Sequence, residues 1–317
     1  MLILNREEVE ELLDLDELVD ALARAHERLS AGAVSMPTRV AALVPEREAL
    51  LGVMPAYVPG EALACKLVTL FPQNRDRHTH QALIVVVDHE NGSPLALMDG
   101  TYITATRTAA GSALATRLLA REDARVLAVL GTGVQARSHA RALARVRDFD
   151  EIRVAGRTPE KVHELADELG GIACESWHDA LAGADVVAAT THTSAPVVRL
   201  EWLAPGVHVN SVGLNPSGRE LDEALVREGT LVVESRDSAF APVPAGAPEL
   251  AGVDPGRAIE LGELVAGRAK GRSAPDEITV YKSVGVAVQD AAAAALVLAA
   301  AGEQGAGRTI ELEGLPT

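Results

Sequence analysis

The stretch Val126-Leu127-Ala128-Val129-Leu130-Gly131-Thr132-Gly133-Val134-Gln135-Ala136 decides how this chain folds. A short apolar run ends in G-x-G-x-x-A, and the residues after it carry a helical pattern. In a doubly wound sheet, each small residue of that pattern has a task. Gly131 permits the tight turn out of the strand, Gly133 lets the backbone approach a pyrophosphate, and Ala136 lets helix and strand pack closely. Unpaired N–H groups at the helix start then receive the phosphates. Residues 131–136 therefore read as a dinucleotide site, with Thr132, Val134 and Gln135 completing the phosphate loop.

Downstream of residue 125 the pattern alternates strand and helix, which predicts parallel βαβ units. Strands are expected at 125–130, 151–156, 184–190, 207–212, 230–234 and 278–282, and helices at 134–146, 159–169 and in the 220s. Upstream the rhythm differs. One amphipathic helix is expected over 7–30, closed by Gly32, followed by strands at 50–58, 62–71 and 82–88. Asn91-Gly92 marks a hairpin turn into a strand at 94–98, and a helix follows over 101–119. The fold class is α/β, a Rossmann dinucleotide-binding domain at 120–286 inserted in an α+β domain. The latter is discontinuous, residues 1–119 plus 287–317, because the Ala-rich helix after Gly285 has no strand to feed and is expected to rejoin the first unit.

The chain of 317 residues carries 29 Lys and Arg against 45 Asp and Glu, a net charge of −16. That balance excludes nucleic acid and anionic membrane surfaces as partners. The N-terminus lacks a basic n-region and a long apolar run, and the Ala-rich run at 291–301 is too short to span a bilayer, so the cytoplasm is the expected compartment. Cys65 and Cys174 read as small core residues. His78 and His80 alternate as in a strand, but no third ligand accompanies them, so no metal is expected.

The ribose is discriminated at the end of the second strand. Arg157 stands there, 21 residues beyond Ala136, and Thr158 and Pro159 follow. A guanidinium beside a hydroxyl suits a 2′-phosphate, which favours NADP(H) over NAD(H). Thr158 also reads as a helix N-cap. An anionic substrate in so acidic a protein needs a local set of cations, and Arg39, Lys66 and Arg107 are candidates. Lys66 lies in an otherwise apolar strand, Arg39 follows a Pro-fixed turn, and Arg107 interrupts a run of small residues where a long cation has room to reach outward.

On these segments the chain resembles the ornithine cyclodeaminase/μ-crystallin family. The resemblance rests on Met36-Pro37-Thr38-Arg39, the strand with Lys66, Thr79-His80-Gln81-Ala82 and Met98-Asp99-Gly100. It continues through the Ala-Thr-Arg-Thr-Ala-Ala segment around Arg107, the glycine loop and Tyr281-Lys282-Ser283-Val284-Gly285. It implies that Arg39, Lys66 and Arg107 hold a substrate carboxylate and that Gly131, Gly133, Val134 and Gln135 hold the pyrophosphate. It places Arg157 at the 2′-phosphate and Thr191 and Ser283 near ribose and nicotinamide. It also implies that the α+β domain is the substrate-binding and dimerisation domain, building shared β-structure in a homodimer, and an activity among ornithine cyclodeaminases, alanine dehydrogenases and cyclic-ketimine reductases.

One departure narrows the choice. Family members that deaminate ornithine carry an Asp in a Gly-x-Asp context before a Glu-Leu pair. Here Val212-Gly213-Leu214-Asn215-Pro216-Ser217-Gly218-Arg219-Glu220-Leu221 is one residue shorter, with Asn215 where that Asp falls. An amide orients by hydrogen bonds but cannot accept a proton. Glu220 and Asp222 read as the acidic start of a helix. The expected reaction is therefore NADPH-dependent reduction of a cyclic ketimine carboxylate, Δ1-pyrroline-2-carboxylate or Δ1-piperideine-2-carboxylate, to the cyclic L-amino acid. The alternatives are ornithine cyclodeamination, an alanine dehydrogenase-like reaction, and a non-catalytic NADPH-binding protein of crystallin type.

Overall fold

The computed structural model describes residues 1–213, 215 and 218–311. The chain divides into two compact units, Met1–Arg107 with Val286–Thr317, and Thr108–Gly285. The dividing line falls inside the helix at Gly100–Leu119, whereas the sequence places it at that helix's end.

The first unit is built on β1 (Leu2–Leu4), β2 (Val40–Val44), β3 (Ala49–Val58), β4 (Ala62–Leu70), β5 (His80–Val87), β6 (Pro94–Asp99) and, from the chain's far end, β15 (Arg308–Thr309). Their order is β15-β1-β6-β5-β4-β3-β2. Pairing is antiparallel except between β1 and β6. Because strand side chains alternate, one sheet face carries Met54, Ala56, Ala64, Lys66, Ile84, Val86 and Met98, all buried. Helices α2 (Leu15–Ser30) and α10 (Ala287–Gln304) pack there, with α10 against β3, β4 and β5. Helix α10 thus lies in the same unit as residues 1–107.

Residues 7–30 form two helices, not one. Asn5 caps α1 (Arg6–Leu12) through a reciprocal capping box with Glu8. Leu13 is then extended, and Asp14 restarts the chain as α2 by accepting from the Asp16 and Glu17 amides at 2.9 Å. A side chain that caps competes with helix continuation. Strand β2 gave no alternating signal because four of its five residues are exposed and the fifth only half-buried.

The second unit contains β7 (Val126–Leu130), α4 (Val134–Leu143), β8 (Glu151–Ala155), α5 (Pro159–Leu169), β9 (Ile172–Ala173), α6 (Trp177–Leu181), β10 (Val186–Ala189), β11 (His208–Ser211), α7 (Glu223–Glu228), β12 (Thr230–Val233), α8 (Arg236–Ala239), β13 (Ile259–Glu260), α9 (Leu261–Val265) and β14 (Thr279–Lys282). The eight strands pair in parallel in the order β13-β12-β14-β11-β10-β7-β8-β9. From β7 the chain winds outward through β8 and β9, then returns to β10 on the other side. The carboxyl ends of β7 and β10 therefore flank the topological switch point, where open α/β sheets bind ligands. Strands buried on both faces read as unbroken apolar runs, and the residues of β10 are all fully buried. Helix α3 (Gly100–Leu119) starts in the first unit and continues into the second. Among the described residues no helix is long and apolar enough to cross a membrane.

Candidate active site

In the first unit, β4 delivers Lys66 onto the buried sheet face opposite Met54 and Ile84. Asp99 starts α3 by accepting from the Tyr102 amide at 2.7 Å, and Arg107 follows on the same helix. Both cations meet Asp290, in the first turn of α10. The Lys66 ammonium lies 2.7 Å from Asp290 Oδ2, and Arg107 Nε donates to Oδ1 at 2.9 Å. Arg107 Nη1 also donates to Gln289 Oε1 at 3.0 Å, and Gln289 Nε2 donates to His26 at 3.0 Å. Arg107 is thus buried at 4% exposure, not reaching outward as its flanking small residues suggest. Those small residues give the guanidinium room inside the unit.

Burial and the neighbouring Arg107 charge lower the Lys66 pKa to about 7, with Arg39 adding to the depression and Asp290 opposing it. Half-buried Arg39 thus belongs to the same electrostatic group. Burial also raises the Asp290 carboxyl, but the Arg107 and Lys66 charges outweigh it and hold the group below its ordinary value. His80 at the start of β5 is pushed down to about 4 by burial and by Lys66 and Arg107, so it is neutral at pH 7. Lys66 and Arg107 share one carboxylate and Arg39 adds charge beside Lys66, which leaves a positive excess suited to an anion. The exposed His78 lies outside β5, and among the described residues no group of three metal-ligating side chains occurs.

In the second unit the carboxyl ends of the parallel strands carry the remaining candidates. Gly131 follows β7 at φ +113°, and a Cβ there would stand 2.8 Å from Thr190 Oγ1 and 3.0 Å from Thr190 O. Only glycine fits that turn. Gly133 is the exposed N-cap of α4 with open space around it, Val134 is 49% exposed, and Ala136 is fully buried. Thr132 O accepts from Arg137 Nη1 at 2.9 Å, and Gln135 O hydrogen-bonds His139 Nδ1 at 2.8 Å, which hold the loop. The α4 amide end is thereby left open, the geometry an anion needs. Arg157, two residues past β8, is exposed. Thr158 occupies the N-cap of α5 without a side-chain capping bond, and Pro159 follows at the first helical position.

Past β10, Thr191 is held by Glu220, whose Oε1 accepts from the Thr191 amide at 2.5 Å and its hydroxyl at 2.7 Å. Glu220 Oε2 accepts from Ser211 Oγ and the Gly213 amide, both at 2.8 Å. Glu220 is therefore a buried tie between two loops, not the start of a helix; only Asp222 does that work, capping α7 through the Leu225 amide. Asn215 Nδ2 donates to Thr193 O at 2.9 Å. Its sequence neighbours Leu214, Pro216 and Ser217 lie outside the described residues. Ser283, past β14, is 3% exposed, and its hydroxyl donates to buried Glu234 at 2.6 Å. Lys282, fully buried, donates to Gly213 O at 2.7 Å and pairs with Glu249 at 3.1 Å.

Asp290, Gln289, Glu220, Glu234, Glu249 and Lys282 were not singled out as site residues from sequence. One signal was available: Asp290 interrupts the apolar run of α10 as Lys66 interrupts β4, and each anomaly is the other's partner. Asp290→Asn removes the shared negative charge and turns an amide N–H toward one cation. It is expected to lower the unfolding free energy by about 3–5 kcal/mol, read as a lower urea midpoint by circular dichroism. An unchanged midpoint would show that the ion group contributes nothing to folding.

Residues 1–305 match the model of the ornithine cyclodeaminase/mu-crystallin family. The ketimine reductase mu-crystallin of Mus musculus is 42% identical, covering 84% of this chain and 85% of that protein. The Δ1-pyrroline-2-carboxylate reductase of Thermococcus litoralis, solved in complex with NADH and L-proline, superposes with a TM-score of 0.91 at 36% identity, covering 98% of this chain and all of that one. An archaeal alanine dehydrogenase, described as a dimer with bound NAD, gives a TM-score of 0.91 at 31% identity, with 99% of each chain covered. The chain belongs to the ornithine cyclodeaminase/mu-crystallin family.

Proposed function

We propose that this protein is an NAD(P)-dependent oxidoreductase that reduces the C=N bond of a cyclic ketimine carboxylate, of the Δ1-pyrroline-2-carboxylate or Δ1-piperideine-2-carboxylate class, to the cyclic L-amino acid. The observation that carries the reading is the buried pairing of Lys66 and Arg107 with the single carboxylate of Asp290, with half-buried Arg39 adding positive charge beside Lys66, in a protein of net charge −16. Relatives named as ketimine and pyrroline-2-carboxylate reductases support it.

The second unit suits a nicotinamide dinucleotide: the Gly131 turn excludes any side chain, and the open amide end of α4 receives the pyrophosphate. Bound there, the reduced cofactor supplies a hydride to the imine carbon. Exposed Arg157, where an NAD site carries an acid, favours NADPH. The Thermococcus and archaeal relatives were solved with NADH and NAD, so the preference rests on Arg157.

The chain's own work is orientation and proton supply. Arg107 and Arg39 hold the carboxylate, and Asp290 keeps Arg107 from turning away. Lys66 in its charged form gives its proton to the imine nitrogen, leaving the ring nitrogen protonated and Lys66 neutral. The two arginines favour that neutral product state, and Asp290 favours recharging. Asn215 donates to a backbone carbonyl and has no proton-accepting group, which sets ornithine cyclisation aside.

A homodimer through the first unit completes the proposal. The outer face of its sheet exposes Leu51, Leu67, Leu83 and Leu95 at 36–48%, and Leu67 and Leu83 are cross-strand partners. Four exposed leucines on one sheet face suit an interface, and a second copy of the chain covers them.

Purified protein is expected to oxidise NADPH with either cyclic imine and to leave pyruvate with ammonia poorly used; ammonia release from ornithine without added reductant would overturn the assignment. With Lys66 as acid, kcat/KM falls as pH rises through about 7, because the charged form exists below that value. Asp290→Asn removes the charge that holds the lysine up, so this limb moves to lower pH. A profile flat from pH 6 to 8 would remove Lys66 from the proton transfer. Arg157→Asp is expected to weaken NADPH by at least tenfold and to leave NADH within about twofold; equal losses would show that Arg157 does not touch the 2′-phosphate. Leu67→Glu with Leu83→Glu should convert a dimer to a monomer in analytical ultracentrifugation, and a persisting dimer would place the interface elsewhere.

A further inference from the structure

We infer that Glu220 is a positioning residue that turns the Thr191 hydroxyl into an acceptor-only group for the nicotinamide half of the cofactor; the inference rests on the dinucleotide reading above. Among the described residues the four side-chain hydrogen bonds of Glu220 all come from donors: the Thr191 amide and hydroxyl, the Ser211 hydroxyl and the Gly213 amide. Ser211 is fixed in the same sense, because Lys282 donates to its oxygen at 3.1 Å and leaves its proton for Glu220. Lys282 is in turn paired with Glu249, which also accepts from the Glu220 amide at 3.1 Å. The polarity of this chain is set by the ammonium, which cannot accept. Thr191 therefore spends its one hydroxyl proton inward. Among the described residues no donor is directed at Thr191 Oγ1, and the residue is only half-buried, so its lone pairs remain for a ligand.

Position identifies that ligand's part. Thr191 lies two residues past β10, beside β7 and opposite the β8 side where Arg157 stands. In a doubly wound sheet the phosphates divide the cofactor at the switch point. The β10 side then takes the nicotinamide nucleoside. An acceptor-only oxygen there selects a donor, either the carboxamide –NH2 or a ribose hydroxyl, and opposes a carboxylate in its place.

The test is calorimetric binding of NADP+ and three analogues to the full-length protein, with no substrate present. In one analogue the carboxamide –NH2 is replaced by O− (the nicotinic acid form), in the second by –CH3 (the 3-acetylpyridine form). The third lacks a hydroxyl on the nicotinamide ribose. Loss of one hydrogen bond predicts roughly tenfold weaker binding. Weakening of the first two identifies the amide as the donor, and weakening of the third the ribose. The gap persists in Thr191→Ser and closes to within about twofold in Thr191→Val. In Glu220→Gln an amide N–H can face Thr191 and turn its proton outward, so the discrimination against the nicotinic acid form falls or inverts. A structural role alone would weaken all four ligands together and leave their ratios unchanged. Analogues that bind the wild type as NADP+ does, or a gap that survives in Thr191→Val, overturn the inference while leaving the dinucleotide site standing. Failure of NADP+ itself to bind the wild type overturns both. Should Glu220→Gln not fold, the two Thr191 variants decide.

Discussion

Asp290 accepting from Lys66 and Arg107 in the interior of the first unit is the interaction on which the rest of that unit depends. Each of these ions is about 5% exposed or less, and taking an ion out of water costs several kcal/mol unless a partner with good geometry offsets it. The partners come from β4, α3 and α10, and Asp290 stands 183 residues from Arg107. No neighbouring register satisfies the ions, because shifting Asp290 by one residue along α10 turns it by about 100°. The carboxylate therefore fixes where the returning helix lies on the sheet. In the proposed function the same ions bind the substrate carboxylate, which makes stability of the unit and readiness of the site one constraint.

The second unit solves a related problem differently. Its central strands β7, β10, β11, β12 and β14 are largely buried on both faces, and several buried polar groups stand at their carboxyl ends, where loops need anchoring. Glu220 ties the loops after β10 and β11, and Glu234 accepts from Ser283 Oγ and from the Val284 and Gly285 amides after β14. Lys282 lies between Glu249 and the Gly213 carbonyl. Buried carboxylates surrounded by donors make stiff loops, since each lost bond leaves an unpaired polar group in a low-dielectric setting. Stiff loops at the switch point are what hydride transfer needs, because the reacting atoms must be held within a fraction of an ångström.

Much of this was legible in the residues. The parallel strands announced themselves as apolar runs between turn signals, and the glycine loop fell where Gly131 is conformationally required. Lys66 was conspicuous because a lysine in an apolar strand demands a reason. What stayed hidden depended on distance or exposure. Asp290 looked like the polar start of an Ala-rich helix, since nothing local reveals a partner more than two hundred residues upstream. Glu220 carried a helix-start signature, yet the chain spends its carboxylate on Thr191, Ser211 and Gly213 instead, a choice made by tertiary packing. Arg107 seemed free to extend because its neighbours are small, and smallness served burial. Strand β2, at an exposed edge, had no buried face to imprint an alternation.

Asn215 joins the sequence departure to the loop structure. Its amide donates to the Thr193 carbonyl, and its own carbonyl accepts from the Gly218 amide at 3.1 Å, so the residue uses both a donor and an acceptor to close the loop. A Cβ on Gly218 would come within 2.2 Å of Thr193 O, so the closure is tight as well as polar. An aspartate here would set its carboxylate against the Thr193 carbonyl, two acceptors with no proton between them. Asn215 is thus held on both sides, by Thr193 and by Gly218. In the proposed reaction the work left to the protein is that of the cation group around Asp290, which would orient a carboxylate and supply one proton. An imine that arrives already formed asks for no more than that.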